Sequence, residues 1–375
     1  MPNDRARIRV LLVIAGLPAG GAERQMALLA ENLDRSKFDV GLLIFNSAEK
    51  IHYQEVLNLP LWFRALNLSP AKDRLLLIPK LVCGIRHALT DFKPDIIHTT
   101  LNVANHAVRF AALMSRCKAP IVTSVRVEYR PSYAPSEKRL ERLLWRRSKH
   151  IICNSGTTKE QLKTDLGIPA NRMTTIPNGI NKVFFKDSLE RPAVWPKGKI
   201  ALTVGRFTQQ KNHTALVEAI AALEPRGTLT DWHFVFLGDG PLQDTILSLI
   251  HQHALQERIR IMPPTQNMPA VYQASDLFIL PSLYEGMSNA VLEAAASKCA
   301  IIVNKNADNV GLINDDRGWV ARNSIQDTLE TVISLTDEER AQKANTASAY
   351  VEQNFGAKIS MNKTVAVYRT VLELS

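Results

Sequence analysis

A chain of 375 residues, 46% of them hydrophobic, has too large a core for a small disulfide-stapled fold, and its length points to two domains. Its cysteines, Cys83, Cys117, Cys153 and Cys299, show no C-x-x-C or metal-ligand spacing and read as reduced core thiols. The net charge of +10 is uneven, with 27 Lys and Arg against 15 Asp and Glu in residues 1–180 and 19 against 21 in 181–375, so the first half is expected to meet an anionic surface or substrate.

The opening "RARIRVLLVIAGLPAGG" imitates a secretory signal, but its apolar run is short and passes without a cleavage site into the amphipathic "GGAERQMALLAENL". A first buried strand, Ile8 to Ile14, is the better reading. Further strands are expected at Val40 to Phe45, Ile96 to His98, Ile121 to Val125, Ile151 to Asn154 and Thr174 to Ile176, with helical patterns between most of them. Leu57 to Leu68 fits a strand or a loop. The irregular "KDSLERPAVWPKGK" then separates a second set of strands, at Ile200 to Val204, Phe234 to Leu237, Ile259 to Met262, Leu277 to Leu280 and Ile301 to Val303. Such alternation marks parallel sheets with right-handed crossovers. The expected architecture is two Rossmann-like, doubly wound α/β domains facing a central cleft, residues 1–185 and 195–355, with a C-terminal helix over 356–375 that packs back on the first. Ligands in such sheets bind outside the carboxyl ends of the strands. No apolar stretch reaches the length of a membrane span, so a cytoplasmic location, with a peripheral place on the inner membrane face left open, is expected.

The chemistry concentrates where strands hand over to helices. In "LYEGMSNAVLEAAA", Ser288 is a good N-cap, which puts Glu285 in the preceding loop and Glu293 on an early helical turn. Gly286 permits close approach, and the amides of Met287, Ser288 and Asn289 can address a phosphate. Both glutamates also fit solvated surface positions. "LTVGRFTQQKNH" sets Arg206 and Lys211 just past another strand, where two cations suit a diphosphate and equally suit an ordinary surface. Gly20 and Gly21 follow the first strand but depart from the dinucleotide pattern G-x-G-x-x-G. "SEKRLERLLWRRSKH" has the spacing of a basic interfacial helix over 136–149 that would meet anionic lipid, and also of a helix packed on its sheet with a solvated basic face. No nucleic-acid motif accompanies the charge.

Taken together, "GGAER", "IPNGI", "GRFTQQKN", "LGDGPL" and "EGMSNAVLEA" resemble the retaining group 1, family 4-like glycosyltransferases of the GT-B fold, over almost the whole chain. The resemblance implies that Arg206 and Lys211 neutralise a nucleotide-sugar diphosphate, that the amides from Gly286 to Ala290 cap its phosphate, and that Glu285 holds the donor sugar. It implies ribose binding by Glu293, nucleotide contacts by Gly238 and the loop containing Pro263, and an approach to diphosphate or acceptor by Gly20 and Gly21. The implied donor is a nucleoside-diphosphate sugar, with no other cofactor and no metal, and the acceptor a glycan or lipid-linked precursor in polysaccharide or lipopolysaccharide assembly. Consistent with this, no D-x-D triplet serves a metal, and Asp315 with Asp316 reads as a turn. Two departures stand out: Arg126 occupies a place where relatives often carry a catalytic-site histidine, and Asn181 one where they commonly carry aspartate. His98 and His106 are the nearby imidazoles, weaker candidates for contact with the transferred sugar. A nucleotide-sugar epimerase on the same scaffold, or a non-catalytic nucleotide-sugar-binding protein, stays open as the alternative.

Overall fold

The structure is a computed structural model that describes residues 7–18, 20–46, 54–68, 77–115, 117–126, 135–186, 195–308 and 310–374. It divides into two compact units, Met1–Gly179 together with Ala357–Ser375, and Ile180–Gly356.

The first unit holds strands β1 (Ile8–Ile14), β2 (Phe38–Ile44), β3 (Trp62–Ala65), β4 (Ile96–Thr100), β5 (Ile121–Val125), β6 (Ser148–Cys153) and β7 (Met173–Thr175). They form one parallel sheet in the order β3-β2-β1-β4-β5-β6-β7. Helices α1 (Gly21–Asn32), α2 (Leu77–Phe92), α3 (Asn102–Met114), α4 (Pro135–Leu144) and α5 (Gly156–Leu166) connect them. The run "IRVLLVI" is apolar without alternation because helices cover both faces of the sheet. Leu11 and Val13 meet Val82, Ile85 and Val108 from α2 and α3 on one face, while Val10, Leu12 and Ile14 share the other with Met26 and Ala27 of α1.

The second unit repeats the plan with β8 (Lys199–Val204), β9 (Trp232–Leu237), β10 (Ile259–Met262), β11 (Leu277–Leu280), β12 (Ala300–Asn304) and β13 (Trp319–Ala321), ordered β10-β9-β8-β11-β12-β13 and parallel throughout. Its helices are α6 (His213–Leu223), α7 (Gln243–Gln252), α8 (Met268–Gln273), α9 (Asn289–Ala296), α10 (Ile325–Ser334) and α11 (Asp337–Phe355). The chain then returns through α12 (Ala357–Glu373) to the first unit, where Val367, Tyr368 and Val371 join the core beneath β1 and β2.

Several expectations are corrected here. The changeover lies at Gly179/Ile180, before the expected linker, because Ile180 donates its amide to Phe355 and packs with Phe184 and Trp195 in the second unit's core. Residues 187–194 of that linker lie outside the described residues. The basic helix expected over 136–149 stops at Leu144, followed by a 3-10 turn at Trp145–Arg147, and Lys149 belongs to β6. The reason is packing: Trp145 is buried among Ile151, Leu162 and Met173, and Ser148 pairs in register with Ile121 of β5. Leu57 to Leu68 resolves into a 3-10 turn at Gln54–Asn58 and strand β3, and β13 is a strand that periodicity alone did not signal.

The tie between α12 and the sheet is polar as well as apolar. His98 of β4 is buried, with Nδ1 2.5 Å from the Tyr368 hydroxyl and Nε2 2.7 Å from the Ser124 hydroxyl. Burial, assisted by the charge of Arg126, pushes the His98 pKa down to about 3; in the second unit burial, with Lys211 nearby, does the same to His213, also to about 3. Unfolded imidazoles bind a proton below about pH 6.5, whereas these two stay neutral in the native state. Their contribution to stability is therefore complete above that pH and is lost as pH falls toward 3. Urea-unfolding midpoints are expected to drop between about pH 6.5 and pH 5, and a flat profile would contradict the neutral buried imidazoles. Tyr368→Phe leaves a buried His98 nitrogen without its hydroxyl partner and should cost about 1–3 kcal/mol in the unfolding of the first unit.

Candidate active site

In the second unit the chain leaves β8 for β9 and β10 on one side and returns to β11 on the other. A parallel sheet that reverses in this way opens a crevice outside the carboxyl ends of the two central strands. The loops after β8 and β11 flank that crevice, and they carry the cations and the first glutamate singled out in the sequence.

Lys211 closes a 3-10 turn, Gln209–Lys211, and the following Asn212 adopts the left-handed conformation with φ 53° and ψ 38°. Asparagine tolerates that region better than most residues, and the turn starts α6 one residue later. The stem of Lys211 lies along Gly205, where a Cβ would come within 3.2 Å of the lysine Cδ and Cε. At its end, Nζ sits 2.6 Å from Glu285 Oε1. Backbone bonds hold the two loops together: the Leu283 amide donates to Gln210 O at 2.9 Å, and the Gln210 side chain donates to Tyr284 O at 3.0 Å. Gln210 was not singled out by sequence reasoning, although it lies inside the same "GRFTQQKN" run.

Glu285 is 8% exposed and Glu293 2% exposed, so neither is a solvated surface charge. Glu293 sits within the first turns of α9, whose N-terminus begins after Ser288, with Gly286, Met287, Asn289 and Ala290 around that start. The helix therefore directs the positive end of its dipole to the segment that follows Glu285. Arg206 is exposed and makes no side-chain hydrogen bond among the described residues.

The glycines of "LGDGPL" answer to packing. A Cβ on Gly238 would stand 2.1 Å from Gly205 O, and Gly240, with φ 148°, would meet Phe207 N and O at 2.7 Å. The loops after β8 and β9 thus pack backbone on backbone, joined by Phe207 N to Asp239 O at 2.6 Å and Leu242 N to Phe207 O at 3.0 Å. Gly238 N also donates to Met262 O at 2.9 Å, which brings the end of β10, and Pro263 just beyond it, into the same cluster of loops.

In the first unit the equivalent reversal lies between β1 and β4. Gly20 N-caps α1 past the end of β1, and the Glu23 carboxylate folds over it, 2.2 Å from where a Gly20 Cβ would stand. Gly21 begins the helix. Arg126 follows β5, and its Nη1 donates to Asn178 Oδ1 at 2.7 Å. Burial lowers the Arg126 pKa only to about 10, so the guanidinium stays charged at neutral pH. Its buried Nε has no hydrogen-bond partner among the described residues. His98, a weaker candidate from the sequence, lies beneath with both nitrogens engaged and the ring neutral, and ties β4 to β5 and α12. His106, the other weaker candidate, sits on α3 with Nε2 2.6 Å from Glu141, and among the described residues no hydrogen bond joins it to another candidate. Asn178 and Tyr368 are the partners that sequence reasoning missed; Asn178 lies in the quoted "IPNGI", while nothing in the sequence ties Tyr368 to His98. Among the described residues no group of three or more His, Cys, Asp or Glu side chains is placed to hold a metal ion.

Comparison with known proteins identifies the family. Residues 19–183 match the model for "Glycosyltransferase Family 4", and residues 186–353 match the model for "Glycosyl transferases group 1". The chain is similar to the Campylobacter jejuni N-acetylgalactosamine-N,N'-diacetylbacillosaminyl-diphospho-undecaprenol 4-alpha-N-acetylgalactosaminyltransferase, 29% identical over 78% of this chain and 79% of that protein. It is also similar to the Escherichia coli UDP-Gal:alpha-D-GlcNAc-diphosphoundecaprenol alpha-1,3-galactosyltransferase, 25% identical over 90% of each. Among solved structures, the Anabaena HepE protein in complex with UDP and glucose superposes with a TM-score of 0.81 at 18% identity, covering 97% of this chain and all 100% of that one. With the two parallel-sheet units and these matches in hand, the chain belongs to the group 1, family 4-type glycosyltransferases and has the GT-B fold.

Proposed function

We propose that this glycosyltransferase moves a sugar from a nucleoside-diphosphate sugar to a hydroxyl of a lipid-linked glycan precursor, retaining the anomeric configuration and needing no metal ion. The observation that carries the reading is the Lys211–Glu285 pair, 2.6 Å apart in the crevice after β8 and β11 and beside the start of α9. An ammonium has three donors, so Lys211 can hold Glu285 and still address a phosphate oxygen. Arg206, exposed on the same loop, adds a planar fork. Negative charge that develops on a departing diphosphate then meets fixed cations and a helix N-terminus in a partly dry site, which is the arrangement that lowers such a barrier.

In this reading Glu285 accepts hydrogen bonds from hydroxyls of the transferred sugar and Glu293 from the ribose. The bond from the anomeric carbon to the diphosphate oxygen breaks as the bond to the acceptor oxygen forms on the same face, and the acceptor proton passes to the leaving phosphate. Gly20, Gly21 and Arg126 are assigned to anionic parts of the donor or acceptor. The diphospho-undecaprenol acceptors in the names of two relatives support a lipid-linked acceptor, as does the basic first half of the chain. Such a reaction belongs on the cytoplasmic side of a membrane, where nucleotide sugars are made.

A thermal-shift series with UDP- and GDP-sugars selects the donor, since a ligand bound only by the native state raises the midpoint. Lys211→Ala should then weaken the matching nucleoside diphosphate roughly ten- to hundredfold and leave the free nucleoside unaffected; equal losses for both would indicate a folding defect. Glu285→Gln should lower transfer of label from donor to a lipid extract by on the order of a hundredfold while nucleotide binding holds within a few-fold. Wild-type rates in that variant would remove Glu285 from the reaction, and label that changes only within the free nucleotide sugar would point to epimerisation instead.

A further inference from the structure

Helix α3 turns Ala104, Val108, Arg109 and Ala111 toward the core and leaves large apolar side chains outside: Val103 is 60% exposed, Phe110 44%, Leu113 41% and Met114 55%. These recur at helical spacing, so they form one stripe. Helix α4 does the same, with Leu140 and Leu143 outside, the latter 72% exposed, and with Glu141 and Leu144 inside. The two helices are fastened side by side. Arg109 Nη1 lies 2.8 Å from both Glu141 oxygens, and His106 Nε2 lies 2.6 Å from one of them. The two apolar stripes therefore adjoin.

Charge frames this surface with one sign. Arg139, Arg142, Arg146 and Arg147 are exposed along α4 and the turn after it, and Lys118 is exposed beyond the end of α3. Among the described residues opposing charges are few. Glu141 is buried in its ion pair, Glu160 of the neighbouring α5 pairs with Lys163, and Arg142 donates to the neutral backbone carbonyl of Asp165. The Asp165 carboxylate, half-buried on α5, is a further acid there.

We infer that this α3–α4 face seats on an anionic lipid bilayer, with Phe110, Met114 and Leu143 entering the boundary of the acyl chains and Arg139, Arg142 and Arg146 meeting lipid phosphates. Apolar side chains ringed by cations match that surface on both counts. A second copy of the chain fits poorly, because a two-fold contact sets each subunit's cluster of arginines against the same cluster on its partner. The inference deepens the lipid-linked acceptor reading by naming the surface that brings the enzyme to its acceptor, but it is testable without donor or acceptor.

The test is co-sedimentation of the full chain with vesicles of phosphatidylcholine alone or with about one quarter phosphatidylglycerol. Binding is expected with the anionic vesicles and not with the neutral ones. At about 1 kcal/mol per surface cation, each lost arginine lowers partitioning roughly fivefold, so Arg139→Glu, Arg142→Glu and Arg146→Glu together should lower it at least about a hundredfold. Phe110→Ser with Met114→Ser and Leu143→Ser should abolish it at physiological salt, while Arg322→Glu in the second unit leaves it unchanged. Thermal midpoints and donor binding of all these variants should match the wild type, which separates lost docking from lost fold. Equal binding to neutral vesicles, retention by either triple variant, or a vesicle-free dimer dissolved by the same substitutions would overturn the inference. Intact vesicle binding with no sugar transfer to lipid would instead sink the acceptor reading.

Discussion

A lysine and a glutamate from two strand ends meet at 2.6 Å where the second sheet reverses its winding, and much of that unit's loop architecture exists to keep them there. Both are largely withdrawn from water, so their mutual attraction is screened far less than that of a surface pair. Their positions are fixed by backbone, not by long flexible contacts. Gly205 lets the lysine stem lie flat, Asn212 supplies the left-handed turn, and Gln210 fastens the loop after β8 to the loop after β11. Glycines at 238 and 240 extend the same rigidity to the loop after β9, where no side chain has room. A preorganised cation of this kind stabilises developing negative charge without moving to do so.

The first unit follows a different logic, because it is discontinuous in sequence. Its sheet is complete by Thr175, yet the core on one face of that sheet closes only when Val367, Tyr368 and Val371 arrive from the last helix. Residues 180–356, the whole second unit, are made in between. Contacts so distant in sequence are costly to close, so the second unit, contiguous in the chain, is placed to consolidate before the first is finished. The buried bond between His98 and Tyr368 reports that final step, since neither group is satisfied until α12 docks.

The alternation of strands and helices was legible because parallel strands covered on both faces are uniformly apolar and short, and their ends show as Gly, Pro or polar residues. β3 and β13 were not: "WFRA" has no fully buried position and sits in a stretch that suits a loop equally, and "WVA" is too short to carry a run. The charge-bearing loops of the second unit were legible as spacing: Gly205 to Lys211 and Glu285 to Glu293 are each local in sequence. Burial was not. A carboxylate at 2% exposure and one on a solvated helix look alike until the surrounding chain is placed, and the same ambiguity hid the true end of α4, where buried Trp145 and the pairing of β6 override a continuous helical pattern. A long-range partner such as Tyr368 leaves no local trace at all, and Asn178 shows only as part of "IPNGI", with nothing to tie it to Arg126.

Arginine at position 126 then acquires a physical meaning that spacing could not give it. Burial that strips the proton from an imidazole, as it does from His98, leaves a guanidinium held down only to about 10 as a fixed cation across the physiological range. Beneath it His98 is neutral, with both nitrogens committed to Ser124 and Tyr368, so it offers neither a proton nor an acceptor to a ligand. The carboxyl ends of β4 and β5 therefore present a permanent positive charge on an uncharged support, and one guanidinium nitrogen is already spent on Asn178. Such a group suits an anion better than a proton in transit. Chemistry that needs a base near this position must find it elsewhere, and in the reading proposed above it is found in the departing diphosphate itself.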